Sequence, residues 1–451
     1  MRVLACALLF ACPSALPQMS TTSPDVLLTN ALTHIRETIA ALPNYTCTET
    51  IDRERQTPTT SALQRIDLVR LEVARTGDKE LFAWPGARKF EDRPVSSFVG
   101  GGLIGDGTFG LFTTDIFVNG MASMKAHGPE LLQARETFRI GYVVRPTKKS
   151  VFTLVTALGS AAVGYSGSFW IDPESLDLIR LDIAADSIPV RLQLVKARMS
   201  VEYGVVKAGS RNMVLPRSSV IEFVYRSGAV SRDDIEFARC REFAGRTNIV
   251  FDGEEPARPV SAAGAEEPRR PAGATFVLPG GLRMPLRLQT SIDAGTASVG
   301  DEISAIVEED VKDQHRVWLA KGSVVRGRIR RLELRRKEAA RARPSDGYVF
   351  VGLEFTTADA GHDTAEFVAE LQSIRMAEVE LTHVEKEESK QWVTGAGNVN
   401  VSGNYLLTRY RESFDRLIPG VGYLYITSEP FRLSAGLPMV WQTEALREAD
   451  R

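Results

Sequence analysis

Gly164-Tyr165-Ser166-Gly167-Ser168-Phe169-Trp170-Ile171-Asp172-Pro173-Glu174-Ser175-Leu176-Asp177-Leu178-Ile179-Arg180-Leu181-Asp182-Ile183 decides the fold class of this chain. Two runs rich in β-branched and aromatic residues flank Asp172-Pro173-Glu174-Ser175, a turn-forming cluster, so the stretch predicts a hairpin. In its second strand Ile179, Leu181 and Ile183 face one way, while Arg180 and Asp182 face the other. Strands of this kind belong to an antiparallel sheet covered on one face only.

The same alternation extends outward. Val69, Leu71 and Val73 predict a strand upstream, and Val190–Lys196, Met199–Val206, Val220–Tyr225 and Ile235–Arg241 predict more downstream. The cover for the sheet is an amphipathic helix. Ser23 suits its N-cap, Pro24 its first position and Asp25 its dipole. Leu28, Leu32, Ile35, Ile39 and Leu42 then form one apolar stripe, and Pro43 ends it.

Ahead of the helix, Met1-Arg2 leads into the apolar run Val3 to Phe10 and the small residues Ala11 to Gln18. A cationic start, an apolar stretch of roughly 7–15 residues and a small-residue exit describe a secretory signal peptide. The stretch is too short to span a bilayer, which needs about 20 apolar residues, and no transmembrane helix is expected. The mature protein is therefore expected outside the cytoplasm, periplasmic or extracellular, with association to an outer membrane open. Cys6 and Cys12 fall in this segment; Leu9-Phe10-Ala11-Cys12 loosely resembles a lipobox, so a lipid anchor at Cys12 is the minority reading. Cys47 and Cys240 remain, and in an oxidising compartment they predict one disulfide.

Glu254 to Ala274 holds Pro256, Pro259, Pro268 and Pro271 and almost no large apolar residue, the composition of a linker. It divides a helix-on-sheet domain, residues 24–252, from a second domain, residues 280–445, with the signal at 1–18 and the linker at 253–279. In the second domain, short strands separated by turns such as Val299-Gly300-Asp301 and Lys321-Gly322 predict a β-barrel or sandwich, of which the barrel is taken as the expectation. The expected class is mainly β (α+β): a curved antiparallel sheet with a covering helix, a linker, and a C-terminal β-barrel.

The stretch Val299-Gly300-Asp301-Glu302-Ile303-Ser304-Ala305-Ile306-Val307, then Val317 to Gly327 with its Lys321-Gly322-Ser323 turn, resembles the β-barrel of the VirB10/TrbI family of type IV secretion components. The resemblance implies a barrel and a place in an envelope assembly. Gly395 to Tyr410 lacks the apolar character of that family's membrane-crossing insertion. Tyr165 to Asp172, the return strand through Arg180, and Leu215-Pro216 faintly resemble the periplasmic lipoprotein-carrier fold (LolA/LolB-like). That resemblance implies a hydrophobic cavity between helix and sheet. With Ala41 to Cys47 added, the chain also looks like uncharacterised exported bacterial proteins.

The chain of 451 residues is 43% hydrophobic and 25% charged, with a formal net charge of −2, so nucleic acid is not an expected partner. Chemistry-bearing motifs are weak. Gly100, Gly102 and Gly105 fit G-x-G-x-x-G literally, but the surroundings read antiparallel, and no cofactor is expected. No histidine pair has zinc-site spacing. Ser166 fails the nucleophile-elbow pattern by one position. Asp359, His362 and Asp363 read as a hairpin turn, and Asp233-Asp234 and Glu308-Glu309-Asp310 as exposed acids at turns.

Two stretches remain as candidates. Leu103, Ile104, Phe109, Leu111, Phe112, Ile116 and Phe117 follow glycine hinges and form either a lid over an apolar pocket or a patch packed permanently on the sheet. Arg330, Arg331, Arg335, Arg336 and Lys337 form a basic patch for anionic envelope components, or a solvated connection between strands. These residues favour a non-enzymatic exported carrier or scaffold for an apolar ligand, a lipid or an envelope protein. The alternatives are a structural component of an envelope complex and a hydrolase with an unrecognised site.

Overall fold

A computed structural model describes residues 23–243, 273–336, 347–374 and 418–445, apart from short breaks, and the strands at 401–402 and 405–407. The expected signal peptide with Cys12, most of the expected linker, Leu103 and Lys337 lie outside the described residues.

The architecture is mainly β. Helix α1 (Pro24–Ala41) opens the described chain. Ser23 precedes it but makes no side-chain capping bond. A ten-stranded antiparallel sheet follows, built from β1 (Tyr45–Gln56), β2 (Gln64–Thr76), β3 (Lys79–Ala83), β4 (Ala122–Leu132) and β5 (Arg135–Val144). After a separate small hairpin, β6 (Thr153–Thr156) and β7 (Gly159–Ala162), it continues through β8 (Gly164–Ile171), β9 (Leu178–Asp186), β10 (Leu194–Ala208), β11 (Arg211–Tyr225) and β12 (Val230–Glu242). The spatial order is β3-β2-β1-β12-β11-β10-β9-β8-β5-β4.

The hairpin that decided the fold class is β8–β9, with Phe169 opposite Leu181 and Gly167 opposite Ile183. The Asp172 carboxylate accepts the amides of Glu174 and Ser175, which closes the turn. One predicted strand is shorter than expected. Val190–Leu192 forms a 3-10 turn because Pro189 lacks the amide a ladder needs, and β10 starts only at Leu194.

Cys47 and Cys240 form the predicted disulfide, with Cα atoms 4.1 Å apart across a bulge between β1 and β12. The bond joins the first and last strands of this sheet.

The second half is a strongly curled half-barrel sheet. Its long strands are Arg283–Leu288, Glu302–Val307, Val324–Arg336, Gly347–Ala360, Val368–Ile374, Val421–Ile426 and Pro438–Glu444. Trp441 is fully buried at its centre, edge-on to Phe355 at 5.2 Å. Asp359, His362 and Asp363 lie at a hairpin there, as the sequence predicts, with Ala360 opposite Asp363.

The two halves share one continuous apolar core. Their junction is the Val299-Gly300-Asp301 turn. β3 pairs with β2 only at Glu72–Thr76, which leaves the earlier part of that edge open. The turn closes it: the Arg70 amide donates to the Val299 carbonyl at 2.8 Å, and the Val299 amide to the Leu68 carbonyl at 2.8 Å. The Arg70 side chain reaches Asp301 at 2.5 Å. Gly300 has φ +100°, and a Cβ there would lie 2.3 Å from the Arg70 carbonyl oxygen. Gly300→Ala is therefore expected to lose about 1–3 kcal/mol from the backbone alone, plus the cost of prising the turn from β2. Calorimetry of this variant should show a lower and broader, or split, unfolding transition; an unshifted single transition would contradict this role for the turn.

Candidate functional site

Between β3 and β4, the described aromatic residues of the candidate segment pack into the core. Phe109, Phe112, Ile116 and Phe117 are all buried, in or beside the helical turns Leu111–Thr113 and Thr114–Val118. Phe109 stacks between Tyr45 and Phe237, Phe112 meets Phe152 and Tyr165 edge-on, and Phe117 meets Phe169 edge-on. Leu111 and Ile104 are half-buried at the margin. Polar bonds hold the segment in place. The Glu80 carboxylate accepts the amides of Gly107, Gly110 and Leu111 at 2.7–3.0 Å. The Tyr165 hydroxyl bonds the buried Asp115 carboxylate at 2.5 Å. In this structure the segment is packed on the sheet.

Arg330 and Arg331 do not form a solvated patch. Both lie in the strand Val324–Arg336, 7% and 2% exposed. Arg330 bonds Glu354 at 2.7 Å and covers the Trp84 ring at 4.9 Å. Arg331 bonds Glu333 at 2.6 Å and covers Phe350 at 4.6 Å. Arg335 and Arg336 end the same strand. The arginine run reads as a solvated connection in sequence because the acids that neutralise it stand partly on another strand.

Asp233 is not an exposed acid at a turn. The Asp233-Asp234 pair lies within β12, where alternation sends Asp234 outward to Arg232 and Asp233 fully inward. Register places Arg53 between Asp67 and Asp233, giving a charge row across β2, β1 and β12. Arg53 pairs with Asp67 through two bonds, of 2.7 and 2.5 Å. Neither Asp233 oxygen completes a hydrogen bond of normal geometry. Burial pushes the Asp233 carboxyl up to about 7, although Arg53 and the Gly105 amide oppose the shift.

A concavity lies between α1 and the sheet. Ile35, Ile39 and Leu42 from the helix, Phe109 from the core segment, and Leu178, Val214 and Pro216 from the sheet make its apolar walls. Thr38, Tyr45, Thr113 and Tyr203 add hydroxyls. Burial pushes the Tyr45 and Tyr203 phenols up, so both stay neutral hydrogen-bonding groups. At the rim, His34 Nε2 lies 2.9 Å from Asp177 Oδ1.

Arg75 also lines this cleft and is 8% exposed. Its cross-strand neighbour is Glu80, the carboxylate already committed to three backbone amides. Among the described residues, no hydrogen bond or ion pair engages the Arg75 guanidinium. Sequence reasoning missed Arg75, since one arginine ending a strand carries no local signal of burial.

The empty volume within the cleft is about 40 Å³, room for one or two waters. A ligand pocket runs to about 300 Å³ or more, so any larger guest requires α1 to move. Only Ala31 and Ile35 of the helix are buried, and Arg36 ties it to the Phe117 carbonyl at 2.7 Å. Among the described residues, no cluster of three or more His, Cys, Asp or Glu could hold a metal ion, and no helix is long and apolar enough to cross a membrane.

No protein-family model matches the chain, and no curated protein matches it. Solved structures are similar to about half of it, two of them as follows. One is described as an outer membrane lipoprotein-sorting protein domain from Vibrio parahaemolyticus: 10% identity, 49% of this chain, 94% of that chain, TM-score 0.28. The other is a DUF1329 family protein from Desulfovibrio piger: 11% identity, 49% of this chain, 95% of that chain, TM-score 0.26. Neither likeness bears on ligand or activity.

Proposed function

We propose that the protein is an exported, non-enzymatic binding protein whose site is the cleft between α1 and the sheet, and that it takes an amphiphile with an anionic head and an apolar chain. One observation carries this reading: Arg75 is nine-tenths buried at the cleft with its guanidinium unengaged. Among the described residues, the guanidinium opens onto the cleft without a hydrogen-bonding partner, and a carboxylate or phosphate entering the cleft gains a charge-assisted pair with it. The apolar walls suit the chain, and the small number of buried residues on α1 suits a helix that lifts to admit it.

Dodecanoate is a suitable probe. Native mass spectrometry and calorimetric titration of the mature chain should show one bound molecule. Arg75→Gln should weaken it about 10- to 100-fold, the range of a lost hydrogen bond to a charged group. Equal binding by Arg75→Gln would remove the basis of the proposal. A second reading, a structural component of an envelope complex, is favoured by the small empty volume under α1. A chain that stays ligand-free in dodecanoate would support it.

A further inference from the structure

We propose that the end of the first sheet opposite the cleft is a docking surface for an anionic lipid bilayer. Four connections lie at that end: β1–β2, β5–β8, β9–β10 and β11–β12. Their described residues include no acid and carry Arg145, Arg191 and Arg226, all exposed. The opposite end is the reverse. Its turns at residues 133–134 and 172–177 contain Asp172, Glu174 and Asp177 and no Lys or Arg. Among the described residues, the connections at the first end thus carry cations, and Asp186, which ends β9 beside them, is bonded to Ser166.

Apolar side chains project from the same end. The β6–β7 hairpin turns Phe152 and Leu154 into the core, where Phe152 meets Phe112 and Tyr165, and turns Val155 and Leu158 outward, 61% and 62% exposed. The 3-10 turn Val190–Leu192 sits against the hairpin, with Arg191 donating to the Ser160 carbonyl at 2.9 Å, and Val190 is 61% exposed. A hairpin rooted in the core, with outward aliphatic residues and with Arg145 and Arg191 beside it, has the chemistry of an interfacial membrane contact. The aliphatic groups enter the headgroup–acyl boundary and the cations meet phosphate. An acidic protein surface would use the cations but leave the aliphatic residues exposed, so the bilayer is the partner the side chains favour.

The surface and the Arg75 cleft occupy opposite ends of the strands, so this inference stands apart from the binding function. The test is flotation of the mature full-length chain with vesicles of equal parts phosphatidylcholine and phosphatidylglycerol, against phosphatidylcholine alone. Binding should need phosphatidylglycerol and weaken with salt. Each cation near such a surface is worth about five-fold in affinity, so Arg145→Glu with Arg226→Glu should reduce binding at least about 25-fold. Val155→Asp with Leu158→Asp should abolish it, whereas Arg75→Gln should leave it unchanged. A fluorophore on Leu158→Cys, placed on the oxidised protein, should shift to the blue with these vesicles and not with phosphatidylcholine. No vesicle binding at low salt, or binding indifferent to the hairpin and arginine substitutions, would overturn the proposal. So would retention on heparin without vesicle binding, which would reassign the surface to an acidic polymer.

Discussion

Arg53→Met is expected to destabilise the protein by about 3–5 kcal/mol, the cost of leaving buried charges without their partner. Arg53 is 2% exposed and stands in register between Asp67 and Asp233, which are 4% and 0% exposed. Removing it strands both carboxyls in the core. The pH dependence has a definite sign. Asp233 titrates near 7 in the folded chain, against an ordinary carboxyl value near 4, so the folded state holds the extra proton between these values. Stability therefore falls as pH rises from about 4 to about 7, by up to about 4 kcal/mol for a shift of this size. Asp233→Asn should abolish that slope and raise the urea midpoint at pH 8. Urea titrations at pH 5 and pH 8 check this; a wild-type midpoint that rises over this interval, with Asp233→Asn lower at pH 8, would contradict it.

The second large effect is expected on removing the disulfide. Cys47→Ala with Cys240→Ala opens a covalent loop spanning 193 residues and should cost about 2–5 kcal/mol. The bond sits where β1 and β12 fall out of register, with Arg239 at φ 50° in the bulge. The loss should therefore be felt first at that seam, beside Arg241 and Thr46. Hydrogen exchange at Thr46, Thr48 and Ala238 should rise before exchange in β8 and β9. Uniform exchange across the sheet with an unchanged melting temperature would show that the bond is dispensable.

Legibility in the sequence followed the range of each interaction. The β8–β9 hairpin was readable because a strand alternates with period two and its turn is local. The disulfide followed from compartment and cysteine count. Asp233 was misread because adjacent acids suggest a turn, and only the partners Arg53 and Asp67, far away in sequence, make a buried acid tenable. Arg330 and Arg331 were misread for the same reason, their neutralising groups standing partly on the next strand. The Val299-Gly300-Asp301 turn was visible, but not the β2 edge it closes. Arg75 is the extreme case: its burial and its lack of a partner depend on α1, the core segment at Phe109 and the commitment of Glu80, none of which any short window contains.

The α1–sheet cleft is the ligand site we propose. A dodecanoate analogue bearing a photoreactive diazirine near the end of its chain tests this directly. After irradiation and digestion, labels should map to Ile39, Leu42, Val214 or Pro216 and be lost in Arg75→Gln. Labels confined to the β6–β7 hairpin, or spread over the surface and unaffected by Arg75→Gln, would contradict it.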